Sequence, residues 1–248
     1  MLSRIVRLLA VSLTVVWTVL LILVFQLEKA KEEKLGYEVA LRHARSMYQQ
    51  LSTFRTWNWD HGGGYVFVDG NTRPNPYMTS PDRDIETSDG RMLTLVNTPY
   101  MVRQVSEIGA GSIEETVRIT SLRPLRPINA PKSWEIEALR FFEHGAPRFA
   151  DLILMEGGSY FFRYMEPLMT EPICLGCHGS QGEVLGDVRG GISISFPMST
   201  VLDMGGEYLL LRKISFLVFW FLGLLMIAAL LIIFERKTVP ASSQSSRE

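Results

Sequence analysis

Two uninterrupted apolar runs, one close to each end, constrain this chain more than any other feature. Leu8–Leu27 and Ile214–Phe234 contain no Asp, Glu, Lys or Arg, and each reaches the roughly 20 residues a helix needs to cross a bilayer. Both read as transmembrane helices. Arg4 and Arg7 would also suit the charged start of a signal peptide. The first run is longer than a signal core, however, and no small-x-small cleavage site follows it before the charged stretch Glu28-Lys29-Ala30-Lys31, which favours an uncleaved anchor. Two spans put the ends 1–7 and 235–248 on one side and the segment 28–213 on the other. Arg4, Arg7, Arg236 and Lys237 are matched by Lys29, Lys31, Lys34, Arg212 and Lys213, so charge counting does not orient the pair.

The orientation comes from chemistry in the central segment. Cys174-Leu175-Gly176-Cys177-His178 contains the chain's two cysteines. Such a spacing can hold one c-type haem covalently, with Cys174 and Cys177 as thioethers and His178 beneath the ring as proximal iron ligand. A disulfide framework or a tetrahedral zinc site would need more sulfur or more nearby histidine. A thioredoxin-like redox pair stays open, although it is expected at the start of a helix after a buried strand. Covalent haem is assembled outside the bacterial cytoplasmic membrane, so a haem here places segment 28–213 in the periplasm and both ends in the cytoplasm. The net charge of −1, with both signs well mixed, gives no reason to expect a nucleic-acid partner.

Between the spans the pattern alternates helix and strand. From Glu28 to Phe54 only Gly36 interrupts an apolar stripe of Leu35, Val39, Ala40, Ala44, Met47, Tyr48, Leu51 and Phe54, which predicts that the first helix continues outward. The stripe suits either a signalling dimer seam or packing on its own domain. Tyr65–Val68 reads as a strand, 69–90 as a Pro- and Asp-rich surface excursion, and the residues after Pro99 as a short helix. Val117–Thr120 reads as a strand. Asn129-Ala130-Pro131 opens a helix whose buried face is Trp134, Ala138, Leu139, Phe141 and Phe142, and which Gly145 and Pro147 end. Asp151–Met155 and Tyr160–Tyr164 form a hairpin around Gly157-Gly158. Gly190–Phe196 alternates as the last strand of one antiparallel sheet, and Met198–Lys213 reads as a helix running into the second span. The fold class expected is α+β.

With these segments laid out, the chain resembles the periplasmic haem c-binding, PAS-like sensor domains, long catalogued as a domain of unknown function and often found before histidine kinase or chemoreceptor modules. The resemblance rests on Trp57-Asn58 with His61-Gly62-Gly63, Leu93–Asn97 with Tyr100-Met101 and Arg103-Gln104, and Ile119–Leu122. It continues through Asn129–Pro131 with Trp134-Glu135, Cys174–Gly179 and Gly186–Ser193. It implies a PAS-like antiparallel sheet with flanking helices between the two spans, one covalent haem and a sensory or redox role. Receptor-type members continue into a signalling module, whereas only Glu235–Glu248 follow here, so the output is expected to pass to a separate signalling protein.

The second axial position decides between gas binding and electron transfer. His61, among glycines and two tryptophans, is the first candidate ligand and Met101 the second; His43 and His144 read as surface or capping residues. Arg103, Arg163 and Arg189 are candidate partners for the haem propionates. No nucleophile-base pair, phosphate loop or paired carboxylate stands out, so no enzyme is expected. The leading expectation is a membrane-anchored periplasmic monohaem cytochrome that senses redox state or a diatomic gas, with a homodimer as one arrangement. The alternatives are a tethered electron-transfer cytochrome serving a periplasmic redox partner, and a haem-free thiol-redox or ligand-binding domain.

Overall fold

A computed structural model describes residues 2–109, 115–156, 158–175, 182–202 and 205–238. The chain divides into two compact units, one of Met1–Gly36 with Leu202–Glu248 and one of Tyr37–Val201.

The first unit holds the apolar runs. Helix α1 (Leu2–Asp60) contributes its first half to this unit, and helix α4 (Gly205–Thr238) supplies the rest. Each contains a segment long and apolar enough to cross a membrane, with mean hydropathy of 2.8 and 3.0. Trp17 Nε1 donates to the Trp220 carbonyl at 3.4 Å, Trp220 Nε1 donates to Thr18 Oγ1 at 3.1 Å, and Phe25 meets Phe216 edge-to-face at 5.1 Å. Farther along, Glu32 pairs with Arg212. Rising numbers on α1 meet falling numbers on α4, so the two run antiparallel. A Cβ at Gly223 would lie 2.1 Å from Trp17 Nε1; only glycine admits the indole there.

The second unit is α+β with antiparallel sheets and flanking helices. Strands β1 (Gly64–Phe67), β2 (Asp84–Glu86) and β3 (Met92–Val96) form one sheet in the order β1-β3-β2. Strands β4 (Thr116–Thr120), β5 (Phe149–Leu154), β6 (Tyr160–Met169) and β7 (Val188–Pro197) form a second in the order β4-β7-β6-β5. Helix α2 (Thr98–Gly109) follows β3, and α3 (Ser133–Glu143) follows β4. The single sheet expected from the sequence is therefore corrected to two among the described residues. β2 and β3 escaped notice because β2 is three residues long inside a stretch with loop composition, and β3 abuts the Pro99 helix start.

The core lies where α1 crosses the second sheet. Ala40 and Ala44 are fully buried with Phe162, Tyr164, Ile194 and Phe196, and Tyr37, Leu41, Met47 and Tyr48 pack around them. Their three- and four-residue spacing is the helical stripe expected, used here to cover its own domain; each large side chain so buried is worth about 1.5–3 kcal/mol. Leu35 and Phe54, at the ends of that stripe, stay exposed. On α3, Ala138, Leu139 and Phe142 are buried. Phe141 is instead half exposed and stacks on Phe149, a correction to its expected place in the core. Ser199–Leu202 forms one helical turn before α4.

A buried carboxylate ties these elements together. Glu135, in the first turn of α3, is 1 % exposed, and its Oε2 accepts from Arg118 Nη1 on β4 at 3.0 Å and from the Lys132 amide at 2.6 Å. Its Oε1 accepts from Ser193 Oγ on β7 at 2.5 Å. Arg118 Nη2 in turn donates to the carbonyls of Ile128 and Ala130. One side chain thus caps α3, bridges two strands and fixes the loop after β4.

A candidate ligand cleft

The loop that Arg118 fixes forms one side of a cleft of about 360 Å³ within the second unit, inside the ~300–1,000 Å³ typical of ligand sites. α1 ends on it: Arg55, Asn58 and Trp59 share a helix face and line the cleft. The buried Asn58 spends both ends of its amide on the wall, donating to the Val96 carbonyl at 3.2 Å and accepting from Thr98 Oγ1 at 2.9 Å. Its own carbonyl accepts the Gly63 amide at 2.7 Å, and Gly63 sits at φ +94° with the Leu95 side chain where a Cβ would go. The positive φ calls for glycine.

The opposite walls come from the ends of β4, β6 and β7. Ile119, Leu125, Leu168 and Met169 supply apolar surface, and Gly190 lets β7 lie against β4, since a Cβ there would stand 2.3 Å from the Thr120 carbonyl oxygen. The 75–80 turn adds Tyr77 and Met78. Arg83 holds that turn by donating to the carbonyls of Asn75 and Met78, and is itself held by Asp84, whose Oδ1 accepts from Thr94 Oγ1 at 2.7 Å. The Arg83 and Thr94 donors keep the Asp84 carboxyl below the usual aspartate range.

Cys174 is half buried and lines this cleft. It ends the turn Pro172–Cys174, where its amide donates to the Glu171 carbonyl at 2.9 Å and its sulfur accepts from the Glu171 amide at 3.4 Å. Cys177 and His178 lie outside the described residues. Arg189 also lines the cleft. Its Nη1 donates to Ser121 Oγ at 2.8 Å, its Nε pairs at 2.9 Å with Glu183, a carboxylate 1 % exposed, and burial lowers its pKa from the ordinary arginine value.

The model of the Tll0287-like family matches residues 32–197. The chain belongs to that family. No curated protein matches it. Among solved structures it is similar to the crystal structure of the cyanobacterial heme-protein Tll0287, at 18 % identity over 63 % of this chain and 94 % of that one, with a TM-score of 0.41.

In this Tll0287-like domain the other candidate residues fall off the cleft. His61 is exposed just past the end of α1, stacked on Trp57, with Nδ1–H donating to the Trp57 carbonyl at 2.7 Å and Nε2 without a partner among the described residues. Met101 is half buried on α2. Arg103 on α2 lies over the Tyr100 ring and pairs with Glu107; Arg163 on β6 lies over Trp134. None of these four lines the cleft. His43 Nε2 meets Glu115 at 2.9 Å, and His144 caps α3. Sequence reasoning overlooked Arg55, Arg126 and Met78, which do line it. Arg55 was readable once α1 was carried to Asp60, because it is one helical turn from Asn58 and Trp59. Arg126 and Met78 carry no local signal, since loop closure alone brings them in. Among the described residues no group of three His, Cys, Asp or Glu side chains gathers as a metal site; what the cleft offers is apolar wall, arginine and one thiol.

Proposed function

We propose that this chain is a membrane-anchored haem protein whose central domain, PAS-like in fold, lies in the periplasm and senses redox state or a diatomic gas. Segments 8–27 and 214–234 would span the membrane and flank the domain of residues 28–213, leaving residues 1–7 and 235–248 in the cytoplasm. The observation that carries the reading is the half-buried Cys174 thiol on the wall of an apolar cleft with arginines around it, in a family whose solved relative is described as a heme-protein.

The residues fit one covalent haem c. Cys174 and Cys177 would bind it, His178 would serve as proximal ligand, the apolar walls would exclude water and arginines would face its carboxylates. Bound there, the haem would supply one-electron redox chemistry and iron able to take up a diatomic ligand. Cys174 is held toward the cleft by both backbone contacts of its turn with Glu171. Sensing, rather than electron transfer alone, is favoured because α1 carries an apolar run at one end and three cleft-lining residues at the other. A change at the cleft can bias that helix and through it a separate signalling partner.

The test is the absorption spectrum of the full chain expressed with haem c maturation, oxidised, reduced, and reduced under carbon monoxide. A covalent haem that survives denaturing electrophoresis and is lost in Cys174→Ser is the expected result. A carbon monoxide shift assigns the site to a gas, and its absence assigns it to redox state. A chain that acquires no haem under these conditions overturns the reading.

A further inference from the structure

The charged residues of the cleft are of one sign. Arg55, Arg126 and Arg189 line it, and no Asp or Glu is among the described lining residues. The three arginines are not equivalent. Arg189 is committed to the buried Glu183 and to Ser121. Arg55 is 17 % exposed and pairs with Glu171 at 3.5 Å, a carboxylate itself 52 % exposed. Such a loose, solvated pair contributes little and exchanges readily. Arg126 is half buried, and among the described residues its guanidinium has no ion pair or hydrogen bond; only its carbonyl is used, by the Asn129 amide.

A half-buried cation with no counter-charge beside apolar wall is poorly solvated, and a planar guanidinium answers best to a carboxylate. The geometry points to an anion-selective cleft that takes a flat apolar molecule bearing two carboxylates, one engaged by Arg126 and the other by Arg55 as it releases Glu171. This deepens the haem reading above and rests on it: the two carboxylates are the haem propionates, held by Arg126 with Arg55 rather than by the expected Arg103, Arg163 and Arg189. Glu171 belongs to the turn that presents Cys174, so the exchange at Arg55 links carboxylate binding to the attachment turn.

The experiment uses the full chain in detergent, expressed without haem maturation, titrated with mesoporphyrin IX and with its dimethyl ester, and followed by porphyrin fluorescence. The diacid is expected to bind at least about tenfold more tightly than the ester. Arg126→Gln is expected to erase most of that ratio by weakening the diacid alone, Arg126→Lys to restore part of it, and Arg163→Gln, which is off the cleft, to leave it unchanged. Equal affinity for acid and ester, or an Arg126→Gln loss shared equally by both, overturns the proposal. In the matured protein the same variant removes a positive charge from the haem, so the midpoint potential is expected to fall, by about 59 mV for a tenfold change in the one-electron equilibrium. Covalent haem without carboxylate discrimination would sink this inference and leave the haem reading intact. Discrimination in a chain that never acquires haem would sink the haem reading and with it the propionate assignment, leaving only a cleft that prefers a diacid.

Discussion

Two arginines eight residues apart, Arg118 on β4 and Arg126 in the loop beyond it, meet opposite fates. Arg118 closes on Glu135, and that carboxylate is satisfied from three sides while shielded from water. Arg126 faces an apolar cleft with no acid among its described lining residues. The two are causally connected. Arg118 also grips the carbonyls of Ile128 and Ala130, while Thr120 Oγ1 and the Ser121 amide take the carbonyl of Asn129. The closed network therefore builds the loop that holds the open charge in place, an arrangement in which supporting contacts preorganise a binding group. The closed pair holds this fold together; Arg126, with no counter-charge among the described residues, is what the loop presents to a ligand.

The comparison breaks first if the closed site is dispensable. Glu135→Ala leaves the half-buried Arg118 without its carboxylate and strands the Ser193 hydroxyl and the Lys132 amide, so a loss of about 3 kcal/mol is expected. Urea unfolding of the detergent-solubilised chain, followed by tryptophan fluorescence, measures it; a loss below about 1 kcal/mol would mean that the network is decoration. Asn58→Ala comes next. It strands the Val96 carbonyl and the Thr98 hydroxyl inside the wall, at a cost of about 1–3 kcal/mol in the same unfolding experiment. Because the Asn58 side chain holds the Val96–Thr98 connection that lines the cleft, porphyrin affinity is expected to drop for acid and ester alike, unlike the selective loss at Arg126.

How much of this was legible beforehand follows the range of the interactions. The apolar runs, the outward continuation of α1, the hairpin of β5 and β6, and β7 were readable because each is written in local periodicity. Cys174 was singled out by a contiguous motif, and the fold sets it on the cleft wall. The β1-β3-β2 sheet was not readable, because β2 is held in register by β3 and by the Asp84–Thr94 bond rather than by its own three residues. The cleft arginines were hidden for the same reason. Arg103 and Arg163 look as free in sequence as Arg126 does, and only the fold reveals that they are spent on Tyr100, Glu107 and Trp134. What separates a structural from a binding arginine here is its neighbour across the fold.

Asp84 sharpens the contrast by being fully paired yet near the surface, so it asks whether pairing suffices without burial. Its carboxyl is held below the ordinary range by Arg83 and Thr94. A depressed carboxyl contributes stability that is present above the unfolded value, about 3.9, and is lost as pH falls through the folded one. The urea midpoints of the native chain and Asp84→Asn are therefore expected to differ at pH 7 and to converge below about pH 4, with a difference smaller than that of either buried variant. A gap that persists unchanged at pH 2 would assign the effect to packing of the 75–83 turn instead of to charge.

The smallest expected effect on stability belongs to the residue with the largest expected effect on binding. Arg126 has no described partner to strand, so Arg126→Gln removes a poorly solvated charge and leaves no orphan behind. Its unfolding free energy is expected to stay within about 0.5 kcal/mol of the native value, as for substitutions away from structural features, or to rise. The same protein sample then serves for the porphyrin titration. A variant that keeps its stability and loses the diacid preference locates that preference in the cleft itself, because nothing else in the fold has changed. If Arg126→Gln instead costs as much as Glu135→Ala, Arg126 is a second structural arginine, and the division between closed and open charge fails at the residue on which it was drawn.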